Sequence, residues 1–357
     1  MIVPGKQKIT EKAAVKNLDF LSLLTENPEE YFEAKGWKKY RLRQILNWIF
    51  NKFVFSYDKM TDLPADFRET VNNELPLYIP KTEKISYSSD GSKKYLLKLR
   101  DEEYIESVLM PAGDKITLCV SSQAGCGRQC QFCATGKIGL KRQLTTSEII
   151  GQILSGMKES LPGKLTNIVY MGMGEPLDNF ENVIKSLKII QNDKYLKFSP
   201  RRITISTCGA VPGIFKLADS GIKVKLAVSL NSAINAKRNK FMPINLKYDL
   251  EELKKAVRYY LRKSKFRVTF EYIMIKNFTM GKEDIKALKK YVGDLSCKLN
   301  LIPWNSIEES DFIAPGEKEI DDFLDELKNL SCALTVRRSK GDDIAAACGQ
   351  LAGKYQK

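Results

Sequence analysis

The sequence predicts an α/β protein, a partial (β/α)6-type parallel barrel preceded by a small helical unit and a β-hairpin extension. Three observations carry this. From Ile116 onward, β-rich runs alternate with helical ones; the early residues hold a 3.6-residue apolar period; and a turn-rich SSDGSK separates two strand-like runs ahead of the alternating part.

Residues 1–82 read as the helical unit. In YRLRQILNWIF, Leu42, Ile45, Leu46 and Ile49 recur at i, i+3, i+4 and i+7, a stripe for burial, flanked by Lys38, Lys39, Arg41 and Arg43 with Trp37 and Tyr40 nearby. Such a helix either grips RNA phosphates or presents a solvated charged face, and phosphate contacts leave no sequence mark that separates the two. Over 83–115, the turn from Ser88 to Lys93 joins KISY to KYLLKLR, a hairpin that leads into YIESVLMP. Over 116–340 the β-rich runs are ITLCVS, NIVYMGM, RITISTC, KVKLAVSL, RVTFEYIMI, CKLNLIP and LTVRRS. Between most of them lie the helical patterns TTSEIIGQILSGM, ENVIKSLKII, LEELKKAVRYYL, KEDIKALKKYV and EIDDFLDELKNL. Parallel strands with crossover helices place the active site in the loops at the strand C-termini. Residues 341–357 close the chain with an Ala-rich run around Cys348 that reads as helical.

Composition bounds the chemistry. The 357 residues carry 58 Lys and Arg against 43 Asp and Glu, a net charge of +15, and no histidine. A His general base, a His metal ligand and a Ser-His triad are therefore excluded, and acid/base work falls to Cys, Glu, Asp, Lys or Tyr. The positive excess suits a polyanion, of which nucleic acid is the commonest. The opening MIVPGKQKITEKAAVKN is polar and lysine-rich, and no run approaches the ~20 apolar residues of a membrane span. A cytoplasmic protein with no membrane partner is expected. In such a reducing compartment eight cysteines read as metal ligands, catalysts or core residues rather than a disulfide framework.

Three of those cysteines, Cys126, Cys130 and Cys133, stand as C-x3-C-x2-C within SSQAGCGRQCQFCATG, just after the first barrel strand. A [4Fe–4S] cluster usually takes four thiolates, so a local trio leaves one iron open for a small-molecule ligand. Structural zinc prefers paired C-x2-C ligands, and no second pair lies nearby. Phe132 would shield a cluster or simply pack.

The trio followed by YMGMGEP resembles radical S-adenosylmethionine (SAM) enzymes, in which SAM chelates the open iron and is cleaved to a 5′-deoxyadenosyl radical. More specifically, SSQAGC, GMGEPLDN, SPRRITISTCG, MPIN, LIPWN and RRSKGDDIAAACGQLAG resemble the RlmN/Cfr family of adenine methyltransferases, in its RlmN branch, from about Tyr40 to Gly353. The resemblance implies methylation of C2 of an adenosine in 23S rRNA and of the adenosine beside the anticodon in some tRNAs. Two SAM molecules serve each turnover. C2 lies between two ring nitrogens and is electron-poor, so it does not attack a methyl sulfonium; a methyl is first moved to a cysteine thiolate.

Carried over by position, the resemblance makes Cys348 the methyl carrier, Cys119 the resolving thiol that forms a disulfide with it, and Glu106 the proton acceptor. Residue chemistry alone leaves Glu106 and a Cys119 thiolate unranked for that proton. Without the resemblance, Cys119 reads as a buried strand cysteine, Cys348 as a small residue in close packing, and Glu106 as a surface residue. For SAM, Gly174 and Glu175 match the methionine-end pair, Ser206 the STCG strand end, Asn305 a residue near the adenosine, and Ser229, Leu230 and Asn231 a Ser-Leu-His segment. Asn231 stands where the family commonly has histidine and cannot titrate near neutrality. Only nine residues follow Cys348, so RNA grip is expected from elsewhere, with Arg201, Arg202, Arg337, Arg338 and Lys340 as phosphate partners. Cys208, Cys297 and Cys332 read as core residues.

An electron donor such as flavodoxin or ferredoxin and a monomeric state complete the expectation. The rival readings are Cfr-like methylation of C8, an RNA-binding protein with a structural metal centre, and an activase that makes a glycyl radical on another protein.

Overall fold

Strand-forming runs and amphipathic helices alternate through most of the chain, whose computed structural model describes residues 19–307 and 310–353. The lysine-rich opening through residue 18 and the last four residues lie outside the described residues.

The chain divides into two compact units between Tyr78 and Ile79. The first holds helices α1 (Phe20–Leu23), α2 (Pro28–Ala34), α3 (Lys39–Phe50) and α4 (Ala65–Glu74). Leu42, Ile45 and Ile49 of the α3 stripe are buried with Phe20, Phe32 and Val71, and the Tyr57 hydroxyl donates to the Leu75 carbonyl at 2.8 Å. Lys38, Lys39 and Arg43 remain exposed. Asn27 caps α2 by accepting from the Glu30 amide.

The second unit is built on one ten-stranded sheet. Its antiparallel part is β1 (Lys81–Tyr87), β2 (Lys93–Lys98), β3 (Tyr104–Ala112) and β4 (Lys115–Cys119). The expected hairpin is thus β1 and β2, closed by the Asp90-Gly91 turn with Gly91 at φ +84°. A small sheet of β5 (Gln123–Gly125) and β6 (Leu140–Gln143) brackets the cysteine loop, and α5 (Ala134–Ile138) lies inside that loop.

Six further strands run parallel to β4: β7 (Asn167–Tyr170), β8 (Ile203–Thr207), β9 (Lys225–Ser229), β10 (Val268–Met274), β11 (Cys297–Pro303) and β12 (Ala333–Val336). Crossovers come from α6 (Thr146–Glu159), α7 (Phe180–Gln191), α8 (Val211–Asp219), α9 (Asn235–Phe241), α10 (Leu250–Lys263), α11 (Lys282–Val292) and α12 (Glu317–Leu327). Capping boxes at Thr145/Glu148 and Asp249/Glu252 fix where α6 and α10 begin. The ladder is open, since among the described residues β12 pairs only with β11, which makes the barrel partial. No helix of the described residues is long and apolar enough to cross a membrane.

The Ala-rich run around Cys348 is not the helix its composition predicts. Gly341 (φ +69°), Ala345 (φ +50°) and Gly349 (φ +89°) adopt left-handed backbone that interrupts any helix, leaving a single 3-10 turn at Asp342–Ile344.

Candidate active site

Parallel strands deliver their C-terminal ends to one side, and a pocket opens there. Its walls take residues from β7 onward in strand order: Gly174 and Glu175 after β7, Ser206 and Cys208 at β8, Ser229 and Asn231 at β9, Glu271 and Ile273 on β10, Trp304 and Asn305 after β11, and Arg337 after β12. Cys126, Cys130 and Cys133 line the same pocket with Phe132, and so does Cys348. Leu230 does not: its side chain is core, and its backbone amide donates to the Glu271 carbonyl at 3.0 Å.

The cysteine loop is shaped by its own backbone. The Cys126 amide donates to the Gly139 carbonyl, and the Cys133 amide to the Cys130 carbonyl. Phe132 packs edge-on against Phe241 at 5.7 Å between ring centres. Burial pushes the Cys126 thiol up to about 12 and raises Cys133. Cys130 and Cys208 act on each other, so that Cys130 is held below the usual thiol range and Cys208 is pushed well above it. Cys208 is therefore not the core residue its apolar neighbours predict but a fifth thiol of the pocket, beside the trio and Cys348. Its signal was present in the sequence, since it follows Thr207 at a strand C-terminus where site residues gather.

Glu175 is buried and organises this corner. Its carboxylate accepts from the Leu177 amide at 3.0 Å and the Cys208 amide at 2.8 Å, while its own amide donates to Gln123 at 2.7 Å. Burial raises its pKa. Gly174, at φ +97°, leaves no room for a Cβ, which would meet Gln123 Oε1 at 2.7 Å. Asn231 is 2% exposed at φ +56°, a conformation asparagine tolerates; its Oδ1 accepts from the Ile273 amide at 3.2 Å. The amide thus joins β9 to β10. Arg238, fully buried, donates to the carbonyls of Leu230, Cys208 and Ser229 and to Asn245 of the MPIN segment, gathering the ends of β8 and β9.

Cys119 and Cys348 share a second, smaller cavity with Met171, Ile302 and Arg337. Cys119 is buried, which pushes its thiol up to about 12, whereas Cys348 is exposed at the junction of both cavities. All eight cysteines are free. Burial also raises Glu271, and the neighbouring Cys348 and Glu271 hold Arg337 firmly charged.

Glu106 is not gathered with these two thiols, and it is not the surface residue its hairpin position predicts. It is 4% exposed, and its carboxylate spans Lys94 at 3.1 Å and the backbone amides of Ala352 and Gly353 at 2.7 and 3.0 Å. It faces a separate groove and clamps the segment that carries Cys348. That segment is also held by Asp90 to the Gly341 amide, Asp343 to Ser88 and Ser89, Thr135 to the Leu351 carbonyl, and Asn305 to the Cys348 carbonyl.

Of the expected phosphate partners, Arg201 and Arg202 precede β8 and so stand at the strand end opposite the pocket. Arg338 pairs with Glu317, Lys340 lines the smaller cavity, and Arg337 is enclosed in the pocket. Cys297, at the start of β11, is buried, and the neighbouring Cys332 is half-buried.

The donor set can be tested against a cofactor. Among the described residues no three His, Cys, Asp or Glu side chains converge to hold a single metal ion. Three thiols spaced around one wall suit the separated corners of a polynuclear cluster rather than a mononuclear zinc site. A parallel α/β sheet with a three-cysteine loop beyond its first parallel strand and a glycine-glutamate turn beyond its second defines a radical SAM enzyme. The Radical SAM superfamily model matches residues 120–291, and the model of the ribosomal RNA large subunit methyltransferase N-terminal domain matches residues 18–76. A radical SAM methyltransferase from Sphaerobacter thermophilus superposes with a TM-score of 0.92 at 38% identity, covering 95% of this chain and all of that one.

Among curated relatives, the dual-specificity RNA methyltransferase RlmN of Bdellovibrio bacteriovorus is 40% identical, spanning 94% of this chain and 84% of its own length. A probable RlmN of Dictyoglomus turgidum is 43% identical over 90% of this chain and 94% of its own. The chain belongs to the dual-specificity RNA methyltransferase RlmN family. Its cofactors are those of the superfamily, a [4Fe–4S] cluster and SAM.

Proposed function

We propose that this chain methylates C2 of an adenosine in 23S rRNA and of the adenosine beside the anticodon in some tRNAs, with Cys348 as the methyl carrier. The single observation that carries the reading is Cys348 at the junction of two cavities, one lined by the cysteine trio and Glu175, the other shared with Cys119. A relay thiol needs both neighbours, a methyl source and a resolving partner.

Bound at the trio Cys126, Cys130 and Cys133, the cluster with SAM supplies the methyl group and the one-electron chemistry that an electron-poor C2 demands. Gly174, Glu175, Ser206, Ser229, Asn231, Asn305 and the Leu230 backbone are assigned to SAM. Cys348 is exposed and so able to meet a base unstacked from its helix, a step that costs a few kcal/mol. Cys119, enclosed and protonated, is assigned to close a disulfide with Cys348 as the methylated base leaves. Glu106 is assigned as proton acceptor, and its hold on Ala352 and Gly353 means that it must release the segment to act. The net charge of +15 supports an RNA partner. We assign the protein to the cytoplasm as a monomer, reduced by a flavodoxin- or ferredoxin-type donor.

The test is anaerobic reconstitution with methyl-labelled SAM and protein-free 23S rRNA, followed by mass spectrometry of the nucleosides. 2-Methyladenosine is expected; 8-methyladenosine as sole product, or no methylation with an intact cluster, overturns the assignment.

A further inference from the structure

Glu271 is a buried carboxylate that none of the steps above uses. It stands inside β10, is 6% exposed, and lines the pocket. One oxygen accepts from the Asn300 side-chain amide at 3.1 Å, and Asn300 is itself held by the Thr335 hydroxyl. The other oxygen, Oε2, is buried and has no hydrogen-bond partner among the described residues. No ion pair within 4 Å joins it to Arg337 there, although the two feel each other's charge. An orphaned buried acceptor is destabilising, more so when it is charged, so a fold that retains one in a pocket wall is built to have it satisfied by something that enters.

Strand register says what that is. Glu271 pairs with Ser229 on one side and Asn300 on the other, so it stands level with one of the residues assigned to SAM. The assigned contacts run along the sheet from Gly174 and Glu175 after β7, at the methionine end, to Asn305 after β11, at the adenosine end. β10 lies between those strands, next to β9. On those assignments, the part of SAM that would cross it is the middle of the molecule. There the sulfonium and the ring oxygen offer no hydrogen to donate, and the ribose hydroxyls do.

We propose that Glu271 Oε2 accepts a hydrogen bond from a ribose hydroxyl of the adenosyl ligand, with Asn300 and Thr335 fixing the carboxylate in plane. The inference rests on the SAM assignment above. It makes Glu271 a determinant of specificity for ribonucleosyl over deoxyribonucleosyl ligands, and burial suits a neutral hydroxyl partner better than a bare one exposed to water.

The experiment uses the full chain, reconstituted anaerobically, with S-adenosylhomocysteine and its 2′-deoxy and 3′-deoxy analogues titrated calorimetrically. Wild type is expected to bind one deoxy analogue about 10- to 100-fold more weakly than the parent, the range for losing a hydrogen bond to a charged group. Glu271→Ala should weaken the parent by a similar factor and then make no further distinction against that analogue. Glu271→Gln keeps the shape and the Asn300 contact, so it carries the same comparison if the alanine variant does not fold. Equal deoxy penalties in wild type and variant, or parent affinity unchanged within about twofold, overturn the proposal; RNA binding lost with ligand affinity intact would instead assign Glu271 to the substrate and overturn it equally. Failure of the wild type to bind any of the three ligands would strike the SAM assignment itself.

Discussion

The side-chain amide of Asn305 donates to the backbone carbonyl of Cys348 at 3.2 Å, while its oxygen accepts from the Ser339 hydroxyl at 2.5 Å. A residue beyond β11 thereby sets the height of the thiol at the pocket mouth. Asn305→Asp keeps the acceptor for Ser339 and removes the donor to Cys348. One hydrogen bond of this kind is worth about 0.5–1.5 kcal/mol, so single-turnover transfer of labelled methyl onto Cys348 should slow about 3- to 10-fold with iron content unchanged. Unaltered transfer would show that Cys348 is seated without Asn305.

Glu106 combines an assigned chemical duty with a visible mechanical one, and two substitutions separate them. Glu106→Gln retains a carbonyl for the Ala352 and Gly353 amides but loses the ion pair with Lys94 and the basic oxygen. Turnover should fall about 100-fold, the low end for removing a general base, while limited proteolysis still spares the C-terminal segment. Glu106→Ala should lose both turnover and protection. A glutamine variant that methylates normally removes Glu106 from the proton step and leaves only the clamp.

The two sites most visible in the sequence were those with local spacing. The cysteine trio and the glycine-glutamate turn are each contiguous, and the alternation of β-rich and helical runs fixed the strand ends to which they belong. The burial of Glu106 is not legible in its hairpin strand because it comes from residues far along the chain: Ala352 and Gly353 cover a face that alternation alone would leave to solvent. The helical reading of the run around Cys348 fails because alanine content says nothing of the left-handed backbone at Ala345 and Gly349. Glu271 was legible in principle. It is the one acidic residue in RVTFEYIMI, and it shares a strand face with Thr269 and Ile273, whereas Val268, Phe270, Tyr272 and Met274 are buried on the other.

Alkaline instability should follow from Cys119. Its thiol is pushed from an ordinary 9.0 up to about 12 by burial, so in the folded state it keeps a proton that the unfolded chain releases. The stabilisation is complete below pH 9 and is lost as pH rises toward 12, because over that window the native state binds more protons than the unfolded one. Each such thiol contributes a slope of at most about 1.4 kcal/mol per pH unit. Urea unfolding between pH 8 and 10.5 should show declining stability, with a shallower decline for Cys119→Ala; identical slopes would mean that Cys119 ionises as freely folded as unfolded.

Gly349 ties the segment that carries Cys348 to the cysteine loop, and it offers the sharpest single-atom test. Its carbonyl accepts from the Ala134 amide at 2.6 Å, directly after Cys133, and at φ +89° an added Cβ would meet the Phe132 carbonyl oxygen at 2.7 Å. Backbone on both sides of that contact leaves nothing flexible to yield, and a side chain at such a φ costs about 1–3 kcal/mol. Gly349→Ala should therefore lift Cys348 away from the pocket while the trio itself stays intact. The expected result is a normal iron and sulfide content, normal binding of S-adenosylhomocysteine, and methyl transfer onto Cys348 reduced at least about 10-fold. Gly36→Ala is the control for strain alone, since Gly36 has a similar φ of +70° but open space where its Cβ would be. If both variants lose transfer alike, general destabilisation is the cause; if Gly349→Ala transfers methyl at the wild-type rate, the Ala134–Gly349 contact does not position the thiol.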